Sequence, residues 1–316
     1  MAIEVAAGVR RRTARFAPDG FRAVSGSAAL VAPLVLAGLL LQLLVESWPA
    51  ISHFGPGFVL SRDWNPVASR FGALPFIYGT LVSSLLALAL ATPVAIGTAL
   101  FLAETKGARF RAPVGVAVEL LAAIPSVVYG IWALYVMAPW VLVHVELPLH
   151  DALGFVPLFA GVPRQTSMLS AALVLAVMIL PTLAAISRDV IRAASGGVRE
   201  AAMALGATWW ETTWKVVLPA ARGGIFGAVI LALGRALGET IAVTMVIGNR
   251  PELQPSLFAP AYTLASVIAN EFTEATGALY IASLIALGLI LIVLSLLVNV
   301  FALAFVRGGI QGGRVP

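Results

Sequence analysis

The stretch Arg199-Glu-Ala-Ala-Met-Ala-Leu-Gly-Ala-Thr-Trp-Trp-Glu-Thr-Thr-Trp-Lys-Val-Val-Leu-Pro219 reads as two short helices joined by a turn. Residues 198–205 are good helix formers, and Gly206 follows where a left-handed C-terminal residue is favoured. Thr208 stands three residues before Glu211, the spacing of a capping box that opens a second helix. Pro219 begins the apolar run beyond, where a first-turn proline costs no hydrogen bond. An alanine-lined helix–turn–helix suits docking into a groove on a partner, and equally suits a plain surface connector.

Long apolar runs lie on both sides of this stretch. Of 316 residues, 60% are hydrophobic and 11% charged, against roughly a quarter charged in ordinary domains, and the mean hydropathy is +0.98. That balance excludes a soluble enzyme, a disordered chain and a nucleic-acid-binding domain, and defines an all-α integral membrane protein. A span needs about 20 apolar residues to cross roughly 30 Å of hydrocarbon. Six runs meet that length: 23–45, 75–103, 112–138, 167–187, 220–247 and 277–306. The first follows an Arg-rich start, but it exceeds a signal-peptide apolar region and lacks a small-residue cleavage site, so it reads as a retained helix. The absence of cysteine removes disulfides, thiolate nucleophiles, iron–sulfur clusters and Cys-type zinc sites.

Six spans with the N-terminus inside place 15 of the 20 Lys and Arg in the cytoplasm. Arg62, Arg70, Arg164 and Arg250 fall outside, and Arg235 falls within a span. The positive-inside rule therefore predicts both termini in the cytoplasm, and the pI near 10.1 reflects topology, not an affinity for nucleic acid. Pro33, Pro93, Pro125 and Pro181 lie in spans, as kinks or simply because proline is frequent in membrane helices. The 139–165 segment reads as an outside loop. It carries His144, His150 and Asp151, but their spacing matches no zinc motif and no His-Glu-x-x-His occurs, so no metal site is expected. No internal repeat of the kind that marks inverted-repeat transporters is visible.

Arg235 and Glu239, four residues apart, are predicted to share one helix face one turn apart. Arg235 lies roughly 22 Å into its run, where an arginine costs about 2.5–3.5 kcal/mol on insertion scales, so a purpose is expected. Gly223, Gly227, Gly234 and Gly238 fall within roughly 60° of one another on a helical wheel and contain two GxxxG spacings, a groove where another helix can approach. The charged pair falls beside that groove. One reading gives Arg235, on a transport path, to an anionic solute whose oxygens match the guanidinium fork, with Glu239 positioning or neutralising it. The other is a buried ion pair that fixes helix register. Glu119 is the remaining intramembrane charge, either a partner of Arg235 or a residue of the cytoplasmic boundary. Thr240 and Thr244 are candidates to line a polar path, although such hydroxyls commonly bond their own backbone.

Glu200-Ala201-Ala202, then Gly206, then Leu218-Pro219 resembles the EAA loop of ABC importer permeases. Asp63-Trp-Asn-Pro66, Phe71-Gly-Ala-Leu-Pro-Phe-Ile-Tyr-Gly-Thr-Leu81, Glu119-Leu-Leu-Ala-Ala-Ile-Pro-Ser-Val-Val-Tyr-Gly130 and Leu233-Gly-Arg-Ala-Leu-Gly-Glu-Thr240 resemble the phosphate permease subunits of the PstC family. The resemblance implies a type I ABC importer (MetI-like) permease fold in a bacterial cytoplasmic membrane. It divides the chain into a cytoplasmic tail 1–22, a first helix and extracytoplasmic loop 23–74, a permease domain 75–306 with its coupling loop 198–219, and a tail 307–316. It implies an ATPase-docking set of Glu200, Ala201, Ala202, Leu205, Gly206 and Ala207. The implied partners are a homologous PstA-like permease subunit, two copies of a PstB-like ATPase and an extracytoplasmic PstS-like phosphate-binding protein. The chain's two lysines, Lys106 and Lys215, do not follow a glycine, so there is no Walker A motif. ATP and Mg are therefore expected on the partner, with no cofactor on this chain. Import of another oxyanion such as molybdate, sulfate or phosphonate fits the same architecture. An ion-coupled transporter is a more distant option, and an intramembrane enzyme would need paired catalytic groups that the spans lack.

Overall fold

The computed structural model describes residues 19–105 and 107–311. The Arg-rich start of the N-terminal tail, Lys106 and the last five residues of the C-terminal tail lie outside the described residues. The chain forms two compact units, one ending at Glu46 and one beginning at Ser47. The first consists of the leading part of helix α1 (Asp19–Phe54), in which residues 23–45 carry no charge.

Among the described residues, six helices are long and apolar enough to cross a membrane: Val24–Phe54 within α1, Leu74–Glu104 (α2), Ser126–Leu153, Met168–Ala194, Trp209–Gly238 and Ala278–Ala304. The first runs nine residues beyond its predicted end, the fifth begins eleven and ends nine residues before its predicted bounds, and the second, fourth and sixth coincide with predicted runs to within two turns at both ends. The third does not. The apolar run 112–138 is split, because α3 (Ala108–Ala123) stops before Pro125 and α4 (Ser126–Leu153) begins after it. Pro125 has no N–H to continue the ladder and drives Ile124 to an extended conformation (ψ 128°). The span then continues through the 139–165 segment expected to be a loop, as far as Leu153.

Two π turns, Ala133–Met137 and Leu142–Glu146, allow α4 to continue. Each is followed two residues on by a proline, Pro139 and Pro148. A third π turn, Thr213–Val217, likewise precedes Pro219 in α6 (Trp209–Gly238). A proline inside a helix clashes with the carbonyl four residues back, and a wider turn relieves the clash without breaking the rod.

The second unit is built around α5 (Met168–Ala204), whose Val174, Leu175, Ile179 and Leu183 are fully buried. Its most extensive neighbour is α2, which faces it with Ala87, Ala91, Ala95 and Ala99, all buried. Small residues every fourth position let two membrane helices approach closely where lipid gives no hydrophobic drive. At the far end of α2, Gly79 meets the backbone of Tyr262: a Cβ there would lie 2.2 Å from the Tyr262 carbonyl oxygen. The next residue, Thr80, accepts from Leu264 N at 2.9 Å, tying α2 to the start of α8 (Leu264–Glu271).

The Asp63–Pro66 segment forms a tight turn in which Asn65 and Arg70 exchange backbone hydrogen bonds. Trp64 packs edge-on against Phe71 and Phe76, and its Nε1 donates to Glu271 at 2.8 Å. Tyr280, at the start of α9 (Ala278–Gln311), donates to the same carboxylate oxygen at 2.6 Å. Burial raises the pKa of the neighbouring Tyr262 phenol far above its ordinary value, so it stays a neutral donor and acceptor.

Candidate functional site

At one end of the bundle the quoted stretch closes as its residues require. Residues 198–205 do not form a separate helix: α5 runs without a break through Gly196-Gly197 to Ala204. Each glycine costs about 1 kcal/mol in a helix, and three arginines on either side of the pair tie α5 to its neighbours. Arg188, Arg192 and Arg199 fall within roughly 40° of one another on the wheel of α5. Arg188 lies 3.8 Å from Glu119 of α3, Arg192 donates to the Leu102 carbonyl at 2.8 Å, and Arg199 pairs with Glu104, the last residue of α2. Glu119 is therefore not a partner of Arg235; it is an exposed residue bound across to α5.

Gly206 takes a left-handed conformation (φ 87°) and its N–H bonds the Met203 carbonyl, while Ala207 N reaches the Ala202 carbonyl. The Thr208–Glu211 capping box is present in both directions. The turn leaves Leu205 90% exposed, beside exposed Glu200, Ala201 and Gly206, with Ala202 and Ala207 half-buried. Trp209, Trp210 and Trp214 surround the second helix start as exposed indoles, Trp210 and Trp214 at a ring separation of 5.4 Å. Such side chains suit the headgroup level of a membrane.

The second candidate region lies within the membrane. The 220–247 run, predicted as one helix, breaks after Gly238. Glu239 is extended (φ −68°, ψ 127°), and α7 (Ile241–Val246) begins after Thr240. Arg235 lies in the last turn of α6 and Glu239 outside the helix, so the two do not share a face, and no ion pair joins them. The Glu239 carboxylate instead accepts from Ala242 N at 3.4 Å, while Thr240 donates to the Gly238 carbonyl and Thr244 to the Thr240 carbonyl. Both threonines thus bond their own backbone. At the break the Glu239 carboxylate takes up a freed amide of α7, while the two hydroxyls donate to backbone carbonyls.

Val246 marks the far end of the bundle, because its carbonyl accepts from Ser167 N at the start of α5. Residues 236–246 span roughly 15–20 Å, which puts Arg235 near the middle of a layer about 30 Å thick. Its side chain is exposed on the chain's surface, within electrostatic reach of the Tyr129 hydroxyl. Tyr129 and Gly130 bring α4 to this break. A Cβ on Gly130 would meet Met245 Sδ at 2.5 Å and Ala242 Cα at 3.1 Å, so α4 and α7 touch at backbone distance.

Of the four glycines expected to form a helix-docking groove, Gly227 and Gly238 face open space and Gly234 has only Asn299 at 4.0 Å. The close approach within the chain is one residue from Gly223: a Cβ on Gly224 would lie 2.3 Å from Val190 of α5. Residue spacing alone assigns no role to Tyr129, Gly130 or buried Glu146, whose carboxylate accepts from the Ser167 hydroxyl at 2.6 Å. A tyrosine four residues after an intramembrane proline was the available signal for the first. His144 stacks on Trp140 and His150 bonds the Phe159 carbonyl, and among the described residues no three His, Asp or Glu side chains converge as for a metal ion.

An all-helical chain with six candidate membrane spans among its described residues defines a multi-pass membrane protein. The chain belongs to the binding-protein-dependent transport system inner membrane component family, whose pattern matches residues 91–308. It is 48% identical over 287 residues to the phosphate transport system permease protein PstC of Mesorhizobium japonicum, covering 89% of this chain and 88% of that one. The protein of the same name from Pasteurella multocida is 45% identical over 282 residues, 88% of each chain. Among solved structures, a bacterial ABC transporter for the acidic polysaccharide alginate superposes with a TM-score of 0.58 at 18% identity, over 92% of this chain and 97% of that one. The MetNI methionine ABC transporter in an inward-facing conformation gives 0.56 at 19% identity, over 74% and 94%. The fold is that of ABC importer permeases, and the protein is a multi-pass component of the cytoplasmic membrane.

Proposed function

We propose that this chain is the phosphate-translocating permease half of an ATP-driven importer. The observation that carries the reading is the preformed turn at Gly206, which presents Leu205 and the Glu200–Ala202 face beyond the membrane bundle. A rigid, small-residue protrusion of this kind fits a groove on a separate ATPase, which holds ATP and Mg because this chain has no P-loop. The positive-inside balance supports placing that turn and both termini in the cytoplasm. The companions are a PstA-like permease subunit, two PstB-like ATPases and a PstS-like binding protein outside. ATP binding draws the docked turns together and alternates access to a path beside Arg235.

Phosphate is the cargo carried by name in the relatives that match most of the chain at 42–48% identity. One guanidinium at mid-depth is suited to a doubly charged oxyanion, which the fork binds through two oxygens. Uptake of labelled phosphate at micromolar concentration, in cells with and without this gene, tests the reading. Specific loss that excess sulfate, molybdate or methylphosphonate does not mimic supports phosphate. Unchanged phosphate uptake in cells lacking any other phosphate transporter overturns the cargo assignment.

A further inference from the structure

Two arginines of α5, Arg192 and Arg199, bind the same neighbouring corner of the molecule, and that corner is the end of α2. Glu104, the last residue of α2, is buried with its side chain 2% exposed, and its partner Arg199 stands 95 residues away in sequence. Two helical turns nearer the membrane, Arg192 donates to the Leu102 carbonyl, one of the C-terminal carbonyls of α2 that have no partner in their own helix. A cation at that position also complements the negative end of the helix dipole. Arg188 reaches Glu119 on α3. Between Arg199 and the turn at Gly206 there is nothing but continuous helix.

A buried ion pair adds little net stability over apolar packing, yet removing one partner is strongly destabilising because a charge is left uncompensated. Such a pair therefore suits the fixing of one arrangement of two elements. We infer that Glu104 and Arg199 are positioning residues that make the end of α2 and the docking turn one rigid lever, so that displacement of the turn is delivered to α2. The inference rests on the reading that an ATPase docks at residues 200–207, and deepens it by naming the path the force takes. From Glu104 the helix runs unbroken to Gly79 and Thr80, which touch Tyr262 and Leu264 at the opposite end. α2 thus connects the docking end of the bundle to the far end without a hinge other than Pro93.

The test uses the complete transporter, reconstituted with its ATPase, partner permease and binding protein. Arg199→Gln and Glu104→Gln should leave the ATPase co-purifying and hydrolysing ATP, while phosphate delivered per ATP falls at least tenfold. Arg199→Lys should retain most of the coupling, and the exchanged pair Glu104→Arg with Arg199→Glu should restore part of it. Since the chain has no cysteine, Glu104→Cys with Arg199→Cys gives a unique thiol pair for a short bifunctional thiol reagent. Bridging should restore uptake toward the parent level, because the lever needs the two ends joined. An unchanged ratio of phosphate to ATP in the single variants, or abolition of uptake by the bridge, overturns the inference. Failure of the parent ATPase to bind the turn would instead overturn the docking reading, a distinct result. If the single variants do not fold, the bridged pair still decides.

Discussion

The Tyr129 hydroxyl donates to the Leu121 carbonyl at 2.8 Å, and Leu121 is the residue whose helical acceptor position Pro125 leaves empty. A proline deprives the carbonyl four residues before it of an N–H, and here the side chain four residues after it supplies an O–H instead. The break between α3 and α4 is thereby closed by a single phenol.

Tyr129→Phe removes that donor and nothing else. The folded state should lose about 1 kcal/mol, in keeping with buried polar contacts in membrane helices. Thermal unfolding of the detergent-solubilised complex should show a lower midpoint, and an unchanged midpoint would mean that the carbonyl is satisfied by other means.

Arg235→Gln should abolish phosphate uptake while the assembled complex is still recovered from the membrane. Because Glu239 caps α7 and does not pair with Arg235, exchanging the two charges should not rescue transport. Restored uptake in the Arg235→Glu, Glu239→Arg double variant would contradict the separation seen at the Gly238 break.

Gly206→Ala puts a Cβ on a residue at φ 87°, a conformation that costs an L side chain about 1–2 kcal/mol. The turn should distort locally, so that the ATPase co-purifies less well while the permease still inserts and pairs with its partner. Glu200→Lys should give the same loss of co-purification without strain. Full recovery of the ATPase with both variants would remove the docking role of the turn.

Neighbouring glycines on α6 should differ sharply. Gly224→Ala collides with Val190 and should lower the stability of the chain itself, by about 1–3 kcal/mol. Gly227→Ala meets nothing within 4 Å in this chain, so its stability should hold. If the partner permease packs against that face, Gly227→Leu should reduce recovery of the heterodimer; equal recovery would show that the face meets lipid.

Much of this architecture was legible before any coordinates. Span number follows from apolar length alone, and the Gly206 turn and Thr208–Glu211 box follow from local chemistry that needs no tertiary information. What escaped depended on distant partners. Nothing near Arg199 announces Glu104, and the polar residues of 139–153 suggest a loop until Glu146 is seen bonded to Ser167. The break at Glu239 was hidden because Gly-Glu-Thr is compatible with a helix; it is the contact of α7 with Gly130 that fixes the separate segment. The expected Arg235–Glu239 pair failed for that reason, since spacing predicts a shared face only where the helix is unbroken.

The π turn Thr213–Val217 separates the docking turn from everything beyond it in α6. A π turn is the form an α-helix takes when it holds one residue more than its winding needs. Relative to the docking turn, every later position in α6 is therefore rotated by about 100° from where a plain helix would carry it. The compass bearing of Arg235 is thus stored in one surplus residue some five turns away. Deleting it would leave the composition, the hydropathy and the docking turn almost untouched, and aim the guanidinium at a different neighbour.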